Sequence, residues 1–143
     1  MKASFKHVLL PIDLGVRNER ALAIALEMAA QSHARVTLLH VIQRIENIPQ
    51  SEMRAFYQRL EERAGRRLAQ AAREFSRRDV EAQPVVLLGT PAREIVRYAE
   101  TRKVDLIVLN SHAVGDLTRP GRGLGTTSYK VAILCRCPVL LVK

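Results

Sequence analysis

Two short runs of almost unbroken apolar residues constrain this chain more than anything else in it, residues 7–12 (HVLLPI) and 105–109 (DLIVL), and residues 35–42 (RVTLLHVI) read as a further strand. A strand with one wet face alternates apolar and polar side chains, whereas a run without alternation needs cover on both faces. Between the runs the pattern changes to steps of three and four. Leu22, Ala25, Leu26 and Ala29 mark a helix from an N-cap at Asn18 to about Gln31. Met53, Phe56, Leu60, Ala64, Leu68, Ala71 and Phe75 mark a long one over residues 51–77. Thr90 before Pro91 is an N-cap followed by proline at the first helical position, opening a helix to Thr101. Residues 82–88 and 138–142 supply two further strands, and residues 126–135 a last helix. Strands alternating with helices predict an α/β fold: a parallel sheet with helices on both faces, in one domain over residues 1–143.

In such sheets ligands bind beyond the carboxyl ends of the strands. That places the candidate site on Pro11, Ile12 and Asp13 after the first strand, Val41 in the second, and Leu109, Asn110, His112 and Ala113 after the fourth. The connection from residue 110 to 125 holds four glycines. Its end, from Gly121 to Thr127, runs into a helix start, where free N–H groups and the helix dipole favour phosphate. Arg122, Gly123, Gly125, Thr126 and Thr127 complete the candidate set. Asp13 suits an adenine amine or a ribose hydroxyl, and equally suits the capping of its own turn.

Several chemistries find no support. There is no Gly-x4-Gly-Lys-Ser/Thr loop, no dinucleotide fingerprint after the first strand and no HExxH motif. Ser111 and His112 are sequence neighbours, which is not the geometry of a triad. No catalytic residue is assigned and no efficient catalysis is expected. Cys135 and Cys137 are two apart, and on extended chain their side chains stand roughly 6–7 Å apart. Neither a disulfide nor a metal site is expected of them. The net charge of +9 raises the question of a polyanionic partner. The arginines between Arg54 and Arg78 have acidic neighbours at helical spacing, Glu62 with Arg66 and Glu74 with Arg78, so a solvated helix face is expected and a nucleic-acid surface is the alternative. No run approaches the roughly 20 apolar residues of a membrane span, and no leader is visible, so a cytoplasmic protein is expected.

Taken together, HVLLPID, Arg20-Ala21-Leu22, VTLLHV, Gly89-Thr90-Pro91 with Ile95, Ala99 with Asp105-Leu106-Ile107-Val108, Gly125-Thr126 and Cys137-Pro138-Val139-Leu140 resemble the universal stress protein family over essentially the whole length. The resemblance implies an adenine nucleotide alpha hydrolase-like sheet of five parallel strands in the order 3-2-1-4-5. It also implies a stress-response or signalling role and a homodimer paired through the last strand, Pro138 to Val142. Some members bind ATP through Gly-x2-Gly-x9-Gly-Ser/Thr. Here Asn110 and Ala113 stand where the first two glycines would, the spacer has eleven residues, and Gly125-Thr126 keeps the end of the motif. Asp13 and Val41 match the positions that contact adenine and ribose. ATP is therefore the candidate cofactor, held by a modified phosphate loop; an ATP-binding sensor and weak ATP hydrolysis stay open.

Overall fold

The computed structural model describes residues 4–14, 18–111 and 127–143. Strand β1 (His7–Pro11) is followed by helix α1 (Glu19–Ser32), β2 (Arg35–Gln43), α2 (Arg54–Ser76), β3 (Ala82–Gly89), α3 (Pro91–Thr101), β4 (Leu106–Asn110), α4 (Thr127–Leu134) and β5 (Val139–Val142). A short 3-10 turn, Gln50–Met53, precedes α2. All strand pairings are parallel, and the order is β3-β2-β1-β4-β5. The sheet is thus the α/β sheet the sequence predicts.

The unbroken apolar runs are buried on both faces for the expected reason. Val8, Leu10, Val36, Leu38, Leu106 and Val108 point toward α1 and α2. Leu9, Leu39, Ile107 and Leu109 point toward α3 and α4, meeting Ala92, Ile95, Ala99 and Val131. Helix α1 faces the sheet through Ala21, Ala25 and Ala29, all fully buried, while Leu22 and Leu26 are half-buried at its sides. Small residues on that line let the helix axis approach the strands closely.

Local details depart from the sequence reading. Asn18 precedes α1 but makes no side-chain capping bond; its Nδ2 donates to the Asp13 carbonyl at 2.8 Å and ties the end of β1 to the helix start. On α2 the inward aromatic is Tyr57, 4% exposed, and not Phe56, which is 38% exposed. The Tyr57 hydroxyl accepts the Ile45 N–H at 2.9 Å, fixing the segment after β2. Cys135 and Cys137 lie on a bend between α4 and β5, which brings their sulfurs to 3.9 Å, closer than an extended chain allows. Burial, with the neighbouring Cys135 thiol, pushes the Cys137 thiol up to about 12. No helix of the described residues is long and apolar enough to cross a membrane.

Candidate functional site

β1 lies at the centre of the sheet, with β2 and β4 as its neighbours. The chain leaves β1 for β2 on one side and returns through α3 to β4 on the other. The connections therefore diverge above the carboxyl ends of β1 and β4 and leave a crevice between them. A cavity of about 720 Å³ occupies that position. Its floor is the strand ends: Pro11, Ile12 and Asp13 after β1, Leu39 to Gln43 of β2, and Leu109 and Asn110 of β4. Thr127 and Ser128 at the start of α4 form one wall. Phe56, Leu60 and Arg63 of α2, with Ile45, form the opposite one.

The structure thus brings Pro11, Ile12, Asp13, Val41, Leu109, Asn110 and Thr127 of the candidate set to one cavity. His112, Ala113, Arg122, Gly123, Gly125 and Thr126 lie outside the described residues. The wall from α2 has no counterpart in the sequence reading. A three-and-four pattern reports which side of a helix is apolar, and not which helix overhangs the strand ends.

The chemistry of the cavity is mixed. Val41, Ile12, Leu39, Leu109, Ile95 and Phe56 give apolar surface of the kind that takes a flat ring. Asp13 offers a carboxylate, Asn110 an amide, Thr127 and Ser128 hydroxyls, and Arg63 a cation. His40 is half-buried at the rim; its Nδ1–H donates to the Ile12 carbonyl at 2.7 Å, which orients the turn that carries Asp13. The Ile12 N–H donates to the Leu39 carbonyl at 2.8 Å and continues the β1–β2 ladder to the cavity floor. On β4, the Ser111 N–H donates to the Val142 carbonyl at 2.7 Å, so Asn110 too is held on paired backbone. A rigid floor of this kind fixes a ligand's position with little ordering cost. Among the described residues no group of three His, Cys, Asp or Glu side chains is placed to hold a metal ion.

Residues 4–143 match the universal stress protein family. A curated relative from Thermus aquaticus, "Universal stress protein in QAH/OAS sulfhydrylase 3'region", is 36% identical over 148 residues, covering 97% of this chain and 99% of its own. "Universal stress protein YxiE" of Bacillus subtilis is 28% identical over 149 residues, with 97% and 99% covered. Among solved structures, that of the protein called MJ0577 superposes with a TM-score of 0.83 at 28% identity, covering 99% of this chain and 97% of that one. Structures under 25% identical share the fold and include universal stress proteins solved with cAMP, with dAMP and with AMP. The AMP-bound one, from Arabidopsis thaliana, has a TM-score of 0.68 at 21% identity, covering 96% of this chain and 91% of that one.

Proposed function

The chain belongs to the universal stress protein family, and from that premise we propose that it is a stress-response module that binds an adenine nucleotide in the cavity above β1, β2 and β4. The observation that carries this reading is the cavity itself. It combines a ring-sized apolar surface around Val41 with a carboxylate, an amide and two hydroxyls on separate elements. In the AMP- and dAMP-bound relatives the same fold carries such a ligand. Adenine stacks on the Val41 side, Asp13 accepts from the adenine amine or the ribose, and phosphate lies toward the N–H groups at the start of α4. ATP is the nucleotide to test first, against AMP, because the two differ only in what the modified loop must hold.

Calorimetric titration of the purified protein decides this. We expect a Kd for ATP of roughly 10–200 μM, about 5–7 kcal/mol, with Asp13→Ala about tenfold weaker through loss of a hydrogen bond to a charged acceptor. Equal affinities for ATP and AMP would place little binding energy on the phosphate loop. No heat and no thermal shift at millimolar nucleotide would end the nucleotide reading.

The same reading makes the protein a cytoplasmic binding and signalling module and not an efficient enzyme. Robust ATP turnover that disappears in Asp13→Ala would count against it. It also makes the protein a homodimer paired through β5. That strand pairs with β4 on one side and is the sheet's edge on the other. Leu140 and Leu141 are exposed on it, and Ile133 and Leu134 of α4 are 61% and 60% exposed nearby. An apolar edge of this kind invites a second copy. In analytical ultracentrifugation the wild type should sediment at twice the chain mass and a Leu140→Glu, Leu141→Glu variant at the chain mass. A monomeric wild type at micromolar concentration removes the dimer.

A further inference from the structure

Helix α2 carries a feature that the nucleotide cavity shares only at Arg63. Arg59, Arg63, Arg66, Gln70, Arg73 and Arg77 follow one another at steps of four, three, four, three and four. That averages the 3.6 residues of one α-helical turn, so the six side chains form a straight stripe parallel to the helix axis. The stripe lies opposite the buried line of Tyr57, Ala64, Leu68 and Phe75, and all six residues are exposed. Eighteen residues at ~1.5 Å each give it a length of about 27 Å.

A solvated face of this kind ordinarily carries both signs, with carboxylates one turn away from the cations. The sequence offers such partners in Glu62 for Arg66 and Glu74 for Arg78, and the structure forms neither pair. Glu74 bonds Arg77 at 2.7 Å, and Arg78 reaches across to Glu27 of α1 at 3.5 Å. Among the described residues no carboxylate lies within ion-pair distance of Arg59, Arg63, Arg66 or Arg73. Four guanidinium groups, on three successive turns and, past Gln70, on a fourth, with Arg67 beside them, thus stay uncompensated on a chain whose net charge is already +9. Their mutual repulsion costs stability, and a ligand with regularly spaced negative charge would relieve it.

We propose that the arginine stripe of α2 binds the phosphodiester backbone of a nucleic-acid duplex without reading its sequence. Cations one turn apart, ~5.4 Å, from Arg59 to Arg66 and two turns apart across Gln70 match a ligand whose charges recur every few ångströms along each strand. Guanidinium is the group that pairs with phosphate in a bidentate fork. The only aromatic residues in the helix, Phe56, Tyr57 and Phe75, lie at the cavity rim or in the core. Bases therefore have no stacking platform along the stripe, which favours a duplex over a single strand.

The test is fluorescence anisotropy of a labelled 20-base-pair DNA duplex with the full chain, titrated at several salt concentrations. Four arginines that each neutralise one phosphate predict a slope of log K against log salt of about −3.6, and an affinity roughly 150-fold weaker at 200 mM than at 50 mM salt. The variant R59Q/R66Q/R73Q leaves Arg63 at the cavity and should lower the slope to about −0.9, a loss of only about threefold over the same interval. Its ATP titration should match the wild type, so failure of this proposal and failure of the nucleotide reading are separable. Absence of duplex binding at 50 mM salt overturns the proposal, as does a slope unchanged in the variant. Binding to vesicles of phosphatidylserine and phosphatidylcholine without binding to the duplex also overturns it.

Discussion

Replacing Phe75 by alanine should destabilise the fold by about 3–5 kcal/mol, the largest effect we expect of any core substitution here. Phe75 sits in the last turn of α2 at 1% exposure, packed into the core between α1, α2 and the sheet. It is the largest of the fully buried side chains. Its backbone also does local work: the Phe75 carbonyl accepts the N–H groups of Arg78 and Val80, each at 3.0 Å, as the chain turns into β3 through Asp79 at φ 57°. Alanine keeps those bonds, so the loss isolates the side chain and the cavity it leaves. For a chain of this length the melting temperature should drop by roughly 10–20 °C. Phe56→Ala, at the other end of the same helix, should cost less than about 1 kcal/mol, because that ring is already part-exposed. Comparable losses from both variants in chemical denaturation would mean that the inward face of α2 is wrongly placed.

That pair of phenylalanines also marks where sequence reasoning stops. Strands β1 and β4 were legible because burial on both faces leaves no alternation to misread, and each is buried through its apolar run. The α2 pattern was legible in its middle, where Ala64 and Leu68 are buried as expected. It failed at the start, where Phe56 and Tyr57 are neighbours: Tyr57 stands two turns before Ala64 and in line with the buried residues, while Phe56 is turned about 100° away from that line. Strand order was implied only by the family resemblance, since periodicity says that strands are parallel and not which are neighbours. The candidate site divides the same way. Asp13, Val41 and Asn110 follow from the rule about strand ends, which needs only the strands. Phe56, Leu60 and Arg63 enter the cavity because α2 overhangs it, a tertiary fact with no local signature. The arginine ion pairs failed for a related reason: helical spacing permits Glu62–Arg66 and Glu74–Arg78 but does not rank them against Glu74–Arg77 or a partner on α1.

His7 opens the first apolar run, and its surroundings lead to the second large effect. The ring is 4% exposed at the amino end of β1, away from the cavity. Its Nδ1 lies 3.1 Å from the Arg102 carbonyl; a carbonyl only accepts, so Nδ1 carries the proton. Nε2 then accepts from the Thr37 hydroxyl at 2.8 Å. Both ring nitrogens are satisfied in the neutral form. The groups facing the ring are Arg35 from β2, Arg102 after α3 and Asp105 before β4, with Tyr98 of α3 beyond Thr37. Desolvation is the main cause that holds the His7 pKa below 6.5; Arg35 and Arg102 lower it further, against the Arg102 carbonyl and Asp105, which raise it. The unfolded chain therefore binds a proton at a higher pH than the folded one. Stability rises with pH wherever the unfolded state holds more protons, so this contribution is complete above about 6.5 and is lost as pH falls from there toward the folded value. The slope it adds cannot exceed about 1.4 kcal/mol per pH unit. His7→Ala should cost roughly 2–4 kcal/mol at pH 8, from the cavity and from the stranded Thr37 and Arg102 groups. It should also flatten the decline in unfolding free energy between pH 6.5 and 5, while nucleotide affinity at pH 7.5 stays as in the wild type. Urea denaturation across that range reads both effects. An acid limb as steep in the variant as in the wild type would assign the loss of stability to other groups and leave His7 as packing alone.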